Sequence, residues 1–278
     1  MSEVVIVASA FGVESIRRDG HRAWLAVAAT AGAAGFEVRR ELFASDDQAA
    51  PRALQELGAA ITALGMWPVY STPAALYSDD GTLDTAALKL ALNEAQALGA
   101  RFVKLQLGGF ADRPQTAELA ACLSGEARPR LLVENGQLRM GGSLAQFAAL
   151  FDVLDRDGQP DLVGMTFDIG NWRWPGEDPI EAAKQLARRV EYVHCKAVTG
   201  EGARRFAVAP AADDPLCAAV LPLLPHSVPR GIEFPFDTTR VAADASHYVA
   251  WLANAAQPTA RPAAQPTARP AAQQKETP

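Results

Sequence analysis

The chain has 278 residues, 49% apolar and 21% charged, with a net charge of −6. That composition is ordinary for a soluble globular protein, and the interspersed acidic excess gives no footprint for gripping a nucleic-acid backbone. Three scattered cysteines (Cys122, Cys195, Cys217) without a CxxC pair argue against a disulfide framework or a zinc ribbon.

The first element predicted is a strand over Val4–Ala10. Nothing before it reads as a basic region, an apolar core or a cleavage site, so the expected compartment is the cytoplasm. The longest uncharged stretch, Ala23–Val38 with Glu37 interrupting it, is too short and too rich in Gly and Ala to cross a bilayer, and no membrane partner is expected. Further apolar runs predict strands at Glu37–Phe43, Trp67–Ser71, Phe102–Leu107, Arg130–Glu134, Val163–Asp168, Val190–Cys195 and Gly231–Phe234. Most are rich in Val, Leu, Ile or Phe, as strands buried on both faces are. Segments of helical period separate them. One starts at an Asp84 cap, carries a Leu/Ala stripe and closes at Gly99; another opens at Asp178-Pro179.

Eight β-then-α units allow a closed barrel or an open doubly wound sheet. No GxGxxG follows the first strand, and eight units in a chain of this size predict a single (β/α)8 barrel over residues 1–254. From residue 255 the octad AAQPTARP occurs twice, followed by AAQQKETP. A Pro/Ala/Gln tract without large apolar residues cannot bury enough surface to offset its ordering entropy, so 255–278 reads as a disordered tail.

In such a barrel function gathers where the strands end. LLVENGQ sets Glu134 at the mouth of the fifth strand, and MTFDIGNW sets Asp168 at the sixth. VEYVHCKAV does the same for His194 on the seventh, and GIEFPF for Glu233 on the eighth. Taken singly, each has a structural explanation: a helix cap, a rim ion pair, a turn before Gly170, an interior histidine. Four in register on consecutive strands form an O3N donor set suited to one divalent ion, Mn²⁺, Mg²⁺, Co²⁺ or Zn²⁺.

These phrases resemble the strand-end motifs of the xylose-isomerase-like, or AP-endonuclease-family-2, barrels, over about residues 4–253 and most sharply over 130–236. Within that group the nearest functional relatives are sugar isomerases and ketose 3-epimerases. The resemblance implies that Glu134, Asp168, His194 and Glu233 hold the metal and that Glu134 and Glu233 double as acid and base. It implies a small sugar or related hydroxy-carbonyl substrate, with proton transfer through a metal-stabilised enediolate. It also raises a homo-oligomer, since relatives of this kind often pair or form tetramers.

The match has departures. The epimerases carry a substrate-binding histidine three residues after the sixth-strand aspartate, where this chain has Asn171. They carry a second glutamate six residues beyond the fifth-strand one, where this chain has Met140, and Lys196 is followed by Ala197 instead of an acid. A dehydratase or lyase on the same scaffold is therefore the alternative reaction, and a barrel that binds a metabolite without turning it over is a third reading. A repair endonuclease is disfavoured: its trinuclear zinc cluster needs several rim histidines, and of His21, His194, His226 and His247 only His194 falls at the mouth.

Secondary candidates for substrate contact are Glu41 at the end of the second strand, Lys104 on the fourth, Lys196, and the Asn171-Trp172-Arg173-Trp174 loop. For the lysines the competing reading is a structural ion pair with Glu41 or Glu134. For Trp172 and Trp174 it is a hydrophobic lid, and Trp67 and Tyr70 share that ambiguity. Cys195 adjoins His194, but strand alternation turns it away from the mouth.

Overall fold

A computed structural model describes residues 1–125 and 128–255. In chain order the barrel strands are β1 (Val4–Val7), β2 (Gly35–Arg39), β3 (Trp67–Tyr77), β4 (Phe102–Gly108), β5 (Arg130–Glu134), β6 (Gly164–Asp168) and β7 (Val190–Cys195). A small hairpin, β8 (Ala197–Thr199) and β9 (Phe206–Val208), precedes the last barrel strand, β10 (Arg230–Ile232). The eight barrel strands pair in parallel and close in the order β1-β10-β7-β6-β5-β4-β3-β2, so the chain is the (β/α)8 barrel that its periodicity predicts. The antiparallel β8–β9 hairpin had no counterpart among the predicted elements.

The helices are α1 (Val13–Asp19), α2 (Leu25–Thr30), α3 (Pro51–Ala63), α4 (Thr85–Leu98), α5 (Thr116–Leu123), α6 (Leu144–Arg156), α7 (Pro179–Leu186), α8 (Pro215–Val220) and α9 (Val241–Asn254). Their ends follow the local chemistry. Asp84 Oδ1 accepts from Ala87 N at 2.9 Å to start α4, and Gly99, at φ +70°, ends it in the left-handed region. Asp178 caps α7 through Ile180 N at 2.8 Å, with Pro179 in the first turn. Caps of this kind contribute about 1 kcal/mol each. The tail proposed from residue 255 lies, from 256 onward, outside the described residues.

Alternation along the strands divides two cores. Outward residues such as Phe36, Val38, Val103, Leu105, Leu131 and Val133 join the large core beneath the helices. Inward Val5, Val69, Phe102, Leu132 and Tyr192 form a smaller plug inside the barrel. Burying that plug contributes roughly 10 kcal/mol before ordering entropy is set against it. Trp67 packs against the plug, and its Nε1 donates to Glu3 Oε1 at 3.1 Å, at the end of the barrel opposite the mouth.

Three strands differ from expectation by more than two residues at an end. β1 stops at Val7, because Ala8–Phe11 tightens into a 3-10 turn. β2 runs over Gly35–Arg39 instead of Glu37–Phe43, because Phe36 and Val38 are its outward residues and Arg40–Leu42 already turns. β3 continues to Tyr77 through an irregularity between Ser71 and Ala75. The second shift matters for the site: it moves Glu37 from the start of a strand to its buried interior, and Glu41 off the strand altogether.

Candidate metal centre

Register brings the four proposed ligands to one level. Glu134 pairs with Thr166, Asp168 with His194, and Cys195 with Ile232, which leaves Glu233 as the first residue beyond β10. One ligand atom from each of Glu134, Asp168, His194 and Glu233 lies within 4.8 Å of all the others. His194 Nδ1 faces this cluster, 2.9 Å from Glu134 Oε1, 3.1 Å from Glu233 Oε2 and 3.8 Å from Asp168 Oδ2.

The other ring nitrogen is held from β2. His194 Nε2 lies 2.9 Å from Glu37 Oε2, which also accepts from Tyr192 Oη at 3.0 Å. A proton on Nε2 directed at Glu37 leaves the Nδ1 lone pair for a metal, the usual carboxylate–histidine–metal relay. Room for the ring comes from Gly231, where a Cβ would fall 2.7 Å from His194 Cδ2 and 2.5 Å from Tyr192 Oη.

Asp168 is fixed by the Asn135 side chain and the Asn171 backbone. Its N–H donates to Asn135 Oδ1 at 2.8 Å, its carbonyl accepts from Asn135 Nδ2 at 3.0 Å, and its Oδ1 accepts from Asn171 N at 2.8 Å. Oδ2 is left without a hydrogen bond of good geometry, as is Glu134 Oε1. Two buried carboxylate oxygens aimed into a shared space, one met there by Lys196 Nζ at 2.7 Å and the other by His194 Nδ1 at 2.9 Å, suit a positive charge between them.

Three cations surround the cluster. Lys104 Nζ lies 3.0 Å from Glu37 Oε1 and 3.1 Å from Glu134 Oε2, and the latter oxygen also accepts from Gln106 Nε2 at 3.0 Å. Lys196 Nζ lies 2.7 Å from both Asp168 Oδ2 and Glu233 Oε2. Arg39 joins Glu233 Oε1 at 2.5 Å to Glu41 Oε1 at 2.6 Å. Five carboxylates (Glu37, Glu41, Glu134, Asp168, Glu233) thus face three permanent cations, a deficit of two charges that one divalent ion would cancel.

Without a metal, protons fill that deficit. Burial, helped by Glu233 and Glu134, raises Asp168 to about 7 against the pull of Lys196. Burial and Lys104 work against a charged His194, yet Glu37, Glu233 and Glu134 together hold its pKa well above the ordinary histidine value. Burial would raise Glu134 too, but Lys104 and His194 hold it at about 2. Glu233 stays well below the carboxylate range for the same kind of reason, with burial overcome by Lys196, His194 and Arg39.

The secondary candidates divide. Lys104 and Lys196 sit in the cluster; Lys104 makes the ion pair with Glu134 that the sequence allowed, and a second with Glu37 in place of Glu41. Glu41 stands one step out, in a 3-10 turn, bound to Arg39. The Asn171 side chain is spent on the loops, donating to Asn135 O at 2.9 Å and accepting from Gln137 Nε2 at 3.3 Å. Trp172 is wholly buried against Phe147 and Phe167, so its ring offers no face at the mouth; Trp174 is half-buried. Tyr70 is buried and donates to Glu94 at 2.6 Å. Cys195 points into the outer core, and burial pushes its thiol up to about 12.

Glu37, Arg39, Gln106 and Asn135 were not singled out from the sequence. The signal for the first two is the run Phe36-Glu37-Val38-Arg39, apolar and charged in strict alternation. On a strand covered by helices, that pattern marks an inward polar face.

Comparison with known proteins agrees with this architecture. Residues 25–252 match the family described as xylose isomerase-like TIM barrel. No curated protein sequence matches the chain. Among solved structures it is similar to D-allulose 3-epimerase from Methylomonas sp. in complex with D-allulose (TM-score 0.62, 14% identity, 89% of this chain and 96% of that one). It is similar to the IolI protein with a bound zinc atom (TM-score 0.61, 12% identity, 91% and 96%). It is similar also to the probable 3-DHS dehydratase AsbF from Bacillus anthracis (TM-score 0.58, 13% identity, 88% and 98%). At such identities the structural likenesses speak for the fold, while the family match spans most of the sequence. The chain belongs to the xylose isomerase-like TIM barrel family.

Proposed function

We propose that the protein is a divalent-metal-dependent isomerase or epimerase of a small sugar or related hydroxy-carbonyl compound. The observation that carries this reading is the convergence of Glu134, Asp168, His194 and Glu233 within 4.8 Å, with both glutamates against the same His194 nitrogen. A Mn²⁺, Mg²⁺, Co²⁺ or Zn²⁺ ion held there would polarise a substrate carbonyl as a Lewis acid. The remaining work falls to side chains. Glu134 or Glu233 takes the proton beside the carbonyl, and the partner glutamate, or the same one, returns it. Return to the opposite face gives epimerisation; return to the neighbouring carbon gives isomerisation. Lys104, Lys196 and Arg39 line the same space and keep both glutamates ionised.

The ligands borne by the related structures, D-allulose and zinc, support this choice of substrate class and cofactor. Among the described residues no second group of His, Cys, Asp and Glu converges, which suits one ion and not a cluster of three. A small-molecule substrate also fits the acidic chain better than nucleic acid does.

One observation favours a second reaction. The positions where resemblance to the ketose epimerases implies a substrate-binding histidine and a second glutamate carry a structurally committed Asn171 and a Met140 that is 42% exposed. A dehydratase acting on the same hydroxy-carbonyl class needs the acid, the base and the metal but not those two contacts.

The test is metal content followed by turnover. Purified protein analysed by inductively coupled plasma mass spectrometry should hold about one equivalent of divalent metal, lost in Glu134→Ala/His194→Ala. Ketoses and hydroxy-keto acids are then screened with that metal. Glu233→Gln should lower turnover by roughly 10²–10⁴-fold while ligand binding persists. Failure to take up any ion after dialysis against millimolar Mn²⁺ and Mg²⁺ would sink the proposal.

A further inference from the structure

Lys196 leaves β7 two residues after His194, and its ammonium rests on two oxygens of the candidate metal centre. The Nζ contacts with Asp168 Oδ2 and Glu233 Oε2 are both 2.7 Å, and these are the oxygens with which those two residues approach His194 Nδ1, at 3.8 and 3.1 Å. The other two cations stand elsewhere. Lys104 uses Glu37 Oε1 and Glu134 Oε2, and Arg39 uses Glu233 Oε1 and Glu41 Oε1.

A divalent ion bonds carboxylate oxygens at about 2.0–2.2 Å. An ion that takes Asp168 Oδ2 and Glu233 Oε2 meets an ammonium already in contact with both, so the two cations compete for the same oxygens and repel each other. Lys196 is buried, so its charge is poorly screened and its competition strong. We infer that Lys196 is a tethered competitor of the divalent ion: it neutralises Asp168 and Glu233 in the metal-free protein, and metal binding displaces it. This inference rests on the metal reading above. It assigns Lys196 the setting of metal affinity, a positioning role distinct from substrate contact.

The test is the affinity of the metal-free protein for Mn²⁺ by isothermal titration calorimetry. Lys196→Met keeps the length of the side chain and removes its charge, and should bind Mn²⁺ at least about tenfold more tightly than wild type. Lys104→Met removes the same charge from other oxygens and should gain less. Equal or weaker binding by Lys196→Met, with wild type still binding one Mn²⁺, would overturn the inference and leave the metal reading intact. Absence of Mn²⁺ binding in both proteins would overturn both. The wild-type protein supplies a readout that does not depend on the variant folding. In crystals grown with Mn²⁺, Lys196 Nζ should leave hydrogen-bond distance of at least one of the two oxygens; retention of both contacts beside a bound ion refutes displacement.

Discussion

His194 Nε2 and Glu37 Oε2 meet at 2.9 Å inside the barrel, tying the only imidazole of the candidate centre to a carboxylate from β2. The contact fixes which nitrogen faces Glu134, Asp168 and Glu233. Glu37 touches none of the other three ligands by hydrogen bond among the described residues; it reaches the centre through the ring and through Lys104, which bridges it to Glu134. Replacing Glu37 by Gln keeps the shape but weakens the hold on the Nε2 proton. Mn²⁺ or Zn²⁺ affinity of Glu37→Gln should fall by about 10–100-fold, measured by calorimetry against a chelator. An unchanged affinity would show that the ring needs no such anchor.

The same ring depends on a missing side chain. A Cβ at Gly231 would stand 2.5 Å from Tyr192 Oη and 2.7 Å from His194 Cδ2, and both rings are fully buried. Gly231→Ala should cost about 1–3 kcal/mol of stability and weaken metal binding as well. Thermal melts with and without metal separate the two effects. A variant with wild-type Tm and wild-type metal affinity would contradict the packing argument.

Metal binding should be coupled to proton release. In the metal-free protein Asp168 is raised to about 7 and His194 well above its ordinary value, so both carry protons at mildly acidic pH. The ion needs both groups deprotonated, and affinity therefore falls as pH falls. Between pH 8 and pH 6 the apparent affinity should drop at least about tenfold. Calorimetry in buffers of different ionisation enthalpy reports the protons released. Binding that is flat in pH, with no proton release, would contradict the protonation assigned to Asp168 and His194.

A different histidine should shape stability. His21 is buried, and burial lowers it from 6.5 to about 4. Its Nε2 accepts the Arg39 N–H at 3.2 Å, which a protonated ring could not do. The folded pKa lies below the unfolded one, so the unfolded chain binds more protons in this window. His21 therefore leaves stability intact above about 6.5 and erodes it as pH falls toward 4, by roughly 3 kcal/mol in all. Melting temperature followed from pH 7 to pH 4 should fall less steeply in His21→Gln than in wild type. Parallel curves would remove His21 from the acid sensitivity.

The period of the apolar runs was enough to count the barrel strands, and each of the four proposed ligands stands at the mouth. These features are local. A strand buried on both faces must be apolar, so Glu134, Asp168, His194 and Glu233 stand out where apolar runs end. Helix caps at Asp84 and Asp178 were legible for the same reason: a cap is a contact between residues two or three apart.

What the sequence could not show is which polar side chains meet across the barrel. Glu37 lies 157 residues from His194, and Arg39 lies 194 from Glu233, joined only when the sheet closes. Glu37 and Arg39 are charged residues inside a buried strand, a pattern that reads as a strand boundary until partners of opposite charge are in place to offset desolvation. Closure likewise decided that Trp172 packs into the core and that Asn171 ties loops together. The chemistry of the mouth was thus written in local strand ends. Its charge balance, with five carboxylates against three cations and a position suited to a divalent ion, exists only in the folded barrel, where low dielectric makes every unmatched charge costly.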